Sequence, residues 1–468
     1  MEFNRLLFIM VYLPIVIGLF VLCKKNAVRN GIMLLSSLVF YSLGDFSHLW
    51  VLLLLIGITY LFARLVETKR KLYPLYLCVV VGILCVFKYG TYLTEHLSAY
   101  FQSLDPFAIL MPLGISFFTF TSISYVSDVY YGTIKAEKNL LPVAMYLSFF
   151  PTVISGPIMR YETIRDWYKK KEINADSIAN GLRRFIIGLS QKVIFANQLN
   201  QVSTAILIDQ SKTSFLLGAY GVIAFAIQEF YDFAGYSNMA IGIGQMLGVR
   251  IPENFDAPYF SESISEYWRR WHITLGAFFK DYVYIPLGGN RKGNFRKFIN
   301  NMIVFVISGI WHGATFAFVL WGIINGIFVA VRSVAAGFYA SVREKLHIAE
   351  DAKWFKAFRI LRTDAIEFLL SAFVFKCVTR EQRSVLFRAL TLRGSRFSMF
   401  YTRQLGVLGY LPLLALAVVF LFPEWRKLWK KLEKNNGVLG DIILLLLLAV
   451  CIVLIVSGSF SSFIYFNF

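Results

Sequence analysis

The chain has 468 residues, with 47 Lys and Arg against 28 Asp and Glu and a formal net charge of +19. Hydrophobic residues make up 57% and charged residues 16%, against roughly 45–50% and about 25% in ordinary soluble domains. With repeated apolar runs of about twenty residues, this excludes a soluble globular enzyme, a disordered chain and a fibrous repeat, and it predicts a polytopic membrane protein.

The basic residues sit in short loops between apolar runs, as the positive-inside rule expects, so the charge sets orientation and does not mark a nucleic-acid partner. Cys23, Cys78, Cys85, Cys377 and Cys451 lie in or beside apolar runs without a C-x-x-C pair. Neither a disulfide framework nor a metal site is indicated.

Leu6 to Cys23 is the first apolar run, and Lys24, Lys25 and Arg29 follow it. A cleaved signal peptide has the opposite order. The arrangement predicts a retained span with the N-terminus outside the cytoplasm. Further runs lie near 31–43, 49–65, 73–88, 107–130, 141–158, 182–207, 214–232, 236–249, 302–331, 364–378, 406–423 and 440–457. They predict an all-α bundle of about twelve spans in the plasma (inner) membrane, in contact with the lipid bilayer. Lys69, Arg70 and Lys71, then Lys135 and Lys138, then the basic stretch 159–184 mark cytoplasmic loops. The run 141–158 is therefore flanked by two cytoplasmic loops. Its Pro151, Gly156 and Pro157 predict a broken helix buried inside protein. The run 406–423 has the same conflict between its flanks. Residues 333–363 read as an amphipathic surface helix. No internal repeat is visible, so an inverted-repeat transporter gains no support. No linker marks a second soluble domain, and residues 1–468 read as one membrane domain.

Walker A, H-E-x-x-H and G-x-S-x-G patterns are absent. Gly242, Gly244 and Gly248 are one residue off a dinucleotide pattern, but they sit in an apolar helix with no preceding strand. Close helix packing is the better reading. The strongest local feature is the pair His272 and His312. His312 lies in Ser308-Gly309-Ile310-Trp311-His312-Gly313-Ala314-Thr315, inside the run 302–331, roughly 15 Å along a helix from its cytoplasmic end. An ionisable side chain at mid-membrane depth is expensive and marks a functional site by default. A neutral histidine hydrogen-bonded between helices is the competing reading. His272 sits in Tyr267-Trp268-Arg269-Arg270-Trp271-His272-Ile273-Thr274, an aromatic, basic stretch suited to the cytoplasmic interface. Here a membrane-surface helix with snorkelling arginines competes. Glu229, Asp232, Tyr236 and Asn238 form a second group within 214–249, read as a polar network lining a tunnel, and Asp128 could join either set.

Six stretches recur in order. They are P-L-G-I-S-F-F-T-F from Pro112, S-F-F-P-T-V-I-S-G-P from Ser148, Y-D-F-A-G-Y-S-N-M-A from Tyr231, W-R-R-W-H-I-T-L from Trp268, Y-I-P-L-G-G-N-R-K-G from Tyr284 and S-G-I-W-H-G-A from Ser308. Jointly they resemble the membrane-bound O-acyltransferase (MBOAT) family, in its alginate O-acetylase branch, with a core at about 107–332 and C-terminal spans and an aromatic tail at 364–468. One departure is Thr121, where the family pattern has Gln. The resemblance implies a bundle around a central tunnel, with His312 as the catalytic base and His272 as its partner. Histidine suits this role because its unperturbed pKa lies near working pH, and a thioester needs no metal for activation. The resemblance also implies acetyl-CoA as donor from the cytoplasm, no metal, and a polysaccharide as final acceptor. Arg269, Arg270, Lys280, Arg291 and Lys292 are cations available for the donor's phosphates, although orientation by the positive-inside rule would place the same charges there.

The chain ends Phe463-Ile464-Tyr465-Phe466-Asn467-Phe468. An aromatic interfacial belt is the bland reading. The resemblance implies a sharper one, in which Tyr465 carries the acyl group to an extracytoplasmic acetyltransferase partner that esterifies an exopolysaccharide or peptidoglycan. Three other functions stay open: D-alanyl transfer from a carrier-protein thioester to teichoic acid, a lipid-acylating enzyme with a long-chain donor, and a transporter or flippase with a structural His312.

Overall fold

The computed structural model describes residues 2–100, 108–209, 213–434, 437–458 and 463. Among them every regular element is helical. The first half runs through α1 (Leu13–Leu22), α2 (Asn26–Asp45), α3 (Leu49–Thr68), α4 (Tyr73–Tyr100), α5 (Ile115–Tyr131), α6 (Leu140–Ser148), α7 (Tyr161–Lys169), α8 (Ala175–Ser190) and α9 (Asn197–Leu207). α10 (Phe215–Met246) is the long central helix, followed by the short α11 (Ile264–Arg270) and α12 (Ile273–Phe279). Then come α13 (Gly293–His312), α14 (Phe316–Val334), α15 (Ala336–Lys345), α16 (Lys353–Ser371), α17 (Arg380–Leu390), α18 (Met399–Gln404), α19 (Leu411–Val419), α20 (Pro423–Glu433) and α21 (Val438–Val456).

Among the described residues, three stretches are long and apolar enough to cross a membrane by length and composition: Asn26–Thr68, Arg70–Ser98 and Val438–Val456. Two bent pairs raise this to five. The sequence's apolar runs predict about twelve spans, but several runs are not single rods. The run 182–207 is α8 and α9 joined through a π turn at Gln191–Ala196. The run 141–158 is the short α6 followed by irregular chain, and its residues are almost all buried, the broken arrangement that its prolines and glycine favour. Such backbone is tolerated at depth only inside protein. The runs 214–232 and 236–249 fuse into the single helix α10.

Small residues bring the central helices together. A Cβ on Gly181 of α8 would lie 2.5 Å from the Gly242 carbonyl oxygen of α10, and one on Gly235 would lie 2.7 Å from that of Gly188. The glycine spacing near 242 therefore serves close packing, as read from the sequence. Across this crossing Lys192 and Asp232, 2% and 4% exposed, form a buried ion pair.

The largest revision concerns 302–331. This stretch is not one helix with His312 inside it. α13 and α14 form a hairpin that turns at Gly313–Thr315, and His312 is the last residue of α13. The two arms meet at Gly309 and Gly322, where an added Cβ would strike the Phe318 and Phe305 carbonyl oxygens respectively. Twenty residues at ~1.5 Å rise put His312 about 30 Å from the basic start of α13, twice the expected distance along the helix. A second revision concerns 333–363. α16 starts at Lys353 but continues to Ser371, and its second half enters the core through Thr363 and Glu367.

Candidate active site

His272 is built by a sharp chain reversal. Ser263 caps α11, its Oγ accepting from the Glu266 N–H at 3.2 Å. α11 ends after seven residues, Trp271 turns extended, and His272 takes left-handed backbone (φ 47°, ψ 54°) as the N-cap of α12. That conformation is costly for a residue with a Cβ and persists only where neighbours enforce it. Asn254 does so. Its Oδ1 accepts from the Thr274 hydroxyl at 2.9 Å and the Thr274 N–H at 3.3 Å, and it lies 3.1 Å from His272 Nδ1. Its backbone oxygen accepts from Ile273 N–H at 2.9 Å. Its Nδ2 donates to Ser237 Oγ of α10 at 3.3 Å. An amide oxygen is an acceptor only, so Nδ1 carries the proton and Nε2 presents the lone pair.

His312 is held differently. Its ring lies 4.5 Å from Trp311, 5.0 Å from Trp321 and 5.1 Å from Phe375 between centroids, the last two edge-to-face. Tyr89 of α4 donates to the Ile310 carbonyl at 2.5 Å and fixes the end of α13. Trp268 of α11 donates to Asn325 Oδ1 of α14 at 2.8 Å and ties the hairpin to the His272 segment.

Three cavities border His312. The largest, about 580 Å³, is walled by α11, α12 and α13 and also borders His272. Its volume is in the range of small-molecule sites. A second, about 50 Å³, lies between His312 and the segment around Gly114, with Lys88 and Trp311 on its wall. A third, about 20 Å³, is bordered by Glu229, Glu367, Ser371 and His312. The two histidines singled out in the sequence therefore share one cavity, and His312 stands where it meets two smaller ones.

The remaining predicted residues separate. Arg269 and Lys280 border the large cavity. Arg270 instead pairs with Glu266 at 2.6 Å, and Arg291 is exposed outside the cavity lining. Glu229 accepts from Ser371 Oγ beside His312. Asp232 belongs to the Lys192 pair. Asn238 donates to Gln191 at 2.7 Å and accepts from Arg184 at 2.9 Å. Tyr236 stacks on Phe3 at 4.7 Å and on Phe463 at 4.8 Å. Among the described residues these four α10 side chains thus have different nearest partners. Asp128 accepts from the Tyr282 hydroxyl at 2.8 Å, away from both histidines.

Tyr465 lies outside the described residues. Phe463, two positions earlier, is fully buried against Tyr236 and Phe233. Phe233 in turn packs edge-to-face on His272 at 4.6 Å. Among the described residues no group of three or more His, Cys, Asp or Glu is placed to hold a metal ion. Asn254, Lys88, Trp321, Phe375 and Glu367 are site residues the sequence reading did not single out.

A family model described as MBOAT, membrane-bound O-acyltransferase family, matches residues 71–375. This chain belongs to that family. It is an integral membrane acyltransferase, and the matched region holds both histidines and all of α10 to α14. The chain is 39% identical over 346 residues to a probable alginate O-acetylase of Pseudomonas putida, covering 71% of this chain and 70% of the relative. The corresponding protein of Pseudomonas aeruginosa is 37% identical over 77% of this chain and 70% of its own length. A peptidoglycan O-acetyltransferase of Helicobacter pylori is 33% identical over 74% of this chain and 72% of its own length.

Proposed function

We propose that this MBOAT enzyme takes acetyl from cytoplasmic acetyl-CoA and passes it across the membrane for O-acetylation of an extracytoplasmic polysaccharide, an alginate-like exopolysaccharide or peptidoglycan. The observation that carries the reading is the position of His312, at the meeting of a large cavity bordered by Arg269 and Lys280 and a smaller one bordered by Lys88. The basic rim suits an anionic donor. The names of the relatives at 33–39% identity point to acetyl and to cell-surface polymers.

In this reading the donor thioester lies in the large cavity, and the acceptor hydroxyl meets it at His312. The His312 ring takes the hydroxyl proton as the oxygen attacks the thioester carbonyl. The carbon–sulfur bond then breaks, and the proton leaves with the thiolate. His272 assists through its Nε2 from across the same cavity. The first acceptor is the Tyr465 phenol, and burial of Phe463 beside Phe233 and Tyr236 supports a tail that reaches this region. Tethering raises the effective concentration of such a nucleophile. A separate extracytoplasmic acetyltransferase then receives the acetyl group. The orientation that follows has the basic loops in the cytoplasm and the N-terminus outside the inner membrane.

The test offers the purified protein two donors, labelled acetyl-CoA and a D-alanylated carrier protein, and maps label on the chain. Consumption of acetyl-CoA with label at Tyr465, absent in Tyr465→Phe, is expected. Consumption of the carrier thioester alone moves the enzyme to D-alanyl transfer. Label that persists in Tyr465→Phe removes the carrier role, and uptake without thioester cleavage restores the transporter reading.

A further inference from the structure

A charged surface around α17 has no part in the acyl transfer described above. Residues 377–404 hold six arginines, no lysine and one acid, Glu381. Arg380, Arg388, Arg393, Arg396 and Arg403 are exposed, and among the described residues no hydrogen bond or ion pair holds their guanidinium groups. The sixth, Arg383, is used internally and donates to the Phe373, Cys377 and Val378 carbonyls. The end of α17 gathers three of the exposed five. Arg393 N–H donates to the Arg388 carbonyl at 2.8 Å. A Cβ on Gly394 would lie 2.9 Å from Ala389 Cα, so the chain folds back on the last turn of α17. Arg388, Arg393 and Arg396 thus share one tight fold of backbone. Ser395 N–H donates to the Thr213 carbonyl at 3.1 Å and anchors that fold to the start of α10.

The 32 residues of α10 measure about 48 Å at ~1.5 Å rise, more than a hydrocarbon core of ~30 Å. Its last turns meet α8 at Gly242 and Gly181, beside the basic stretch 159–184. Its first turns meet the end of α9 at Gly221 and Leu207, and α17 at Gly218 and Ala389. The α17 arginines therefore stand a membrane's thickness from the stretch 159–184, and the two basic sets cannot both face the cytoplasm. In the orientation proposed above the α17 set faces outward, against the positive-inside rule. The negative surface potential that attracts basic segments belongs to the cytoplasmic leaflet, which leaves lipid a weak reason for arginines at the outer end. Arginine without lysine suits carboxylates, because the guanidinium fork binds them in bidentate fashion. We infer that the fold holding Arg388, Arg393 and Arg396, flanked by Arg380 and Arg403, binds a carboxylate-bearing (uronate) polysaccharide on the outer surface. This rests on the orientation and polymer acceptor proposed above, and it selects uronate polymers over neutral ones. An alginate-like polymer carries a carboxylate on every sugar, which matches several separated cations better than the few acids of a protein contact. The site keeps the polymer at the membrane face where acetyl emerges.

The experiment measures binding of a labelled mannuronate oligomer to the full-length protein in neutral detergent, with dextran as the neutral probe and phosphatidylglycerol vesicles as the lipid probe. Wild type is compared with the triple variant Arg388→Gln, Arg393→Gln and Arg396→Gln, and the unfolding midpoint is read alongside. Salt-dependent binding of the uronate oligomer and none of dextran are expected. Affinity should fall about 10-fold in the triple variant, the sum of several exposed ion pairs. If the triple variant does not fold, the three single variants carry the test, each with a loss of about 2-fold. Absence of uronate binding overturns the inference, as does unchanged affinity in the folded variants. Binding of phosphatidylglycerol vesicles without uronate binding assigns the surface to lipid and overturns it too. Polymer acetylation lost in cells carrying the triple variant, with no uronate binding by wild type, assigns the surface to an acidic protein partner and also overturns it. The orientation is read separately, by labelling Arg393→Cys in intact spheroplasts with a membrane-impermeant maleimide against wild type as background. Labelling from outside without uronate binding removes this inference alone, whereas labelling only after the membrane is opened removes the orientation on which it rests.

Discussion

Among the described residues, the two histidines meet different surroundings. His272 is fixed by hydrogen bonds, through an asparagine that also binds Thr274 and Ser237. His312 is enclosed by indole and phenyl rings at the tip of a helical hairpin. A ring tied by Nδ1 keeps one tautomer and one direction, which suits a partner that presents Nε2. The ring of His312 packs among aromatic side chains and borders the large cavity. The proposed function gives the proton-transfer step to His312 and the assisting role to His272, and the difference in surroundings is what the variants below probe.

Variants can break this comparison, beginning with the largest effect. His312→Ala should lower acyl transfer by ~10²–10⁴-fold, the usual cost of removing a general base. A smaller loss than that of His272→Ala, measured side by side, would reverse the two roles. Asn254→Ala should cost about 10²-fold in kcat, because it frees the His272 ring and the left-handed turn together, and small misplacements at a reacting centre cost that much. His272→Ala should then add little to Asn254→Ala, and additive losses would separate the two residues. Trp321→Leu should cost roughly 5–30-fold in kcat at unchanged donor KM, in line with ~1–2 kcal/mol for a desolvated cation–π contact. A KM effect instead would make the indole a binding wall. The smallest expected effects are on donor KM: a few-fold rise for Arg269→Gln and for Lys280→Gln, and less for Arg270→Gln, whose partner is Glu266. Donor-binding titrations of the three variants check that order.

Much of the site could be read from the sequence, because the two histidines lie in stretches whose residue types are specific together: W-R-R-W-H-I-T-L and S-G-I-W-H-G-A. Close helix packing was legible from the spacing of Gly242, Gly244 and Gly248, whereas the partner helix α8 and the second contact at Gly235 appear only in the fold. Other parts were not. The α13–α14 turn lies in an unbroken apolar run, and only Gly313 hints at it, since neither arm is interrupted by a charge or proline. Asn254 sits in a loop where its side chain carries no periodic signal, so its bonds to the 272–274 turn and to α10 appear only in the fold. Glu367 lay hidden because the charged start of α16 reads as a surface helix, and the helix turns inward only after Thr363. The acids and polar residues of α10 shared a short stretch of sequence, but successive positions on a helix face different neighbours. Glu229, Asp232, Tyr236 and Asn238 therefore meet different nearest partners among the described residues.

The most direct test of His312 as the base is a single-turnover measurement of CoA release from acetyl-CoA, comparing wild type with His312→Ala of equal unfolding midpoint. The account predicts rapid release with wild type and a rate lowered by at least ~10²-fold in the variant. Release at the wild-type rate from folded His312→Ala would contradict it.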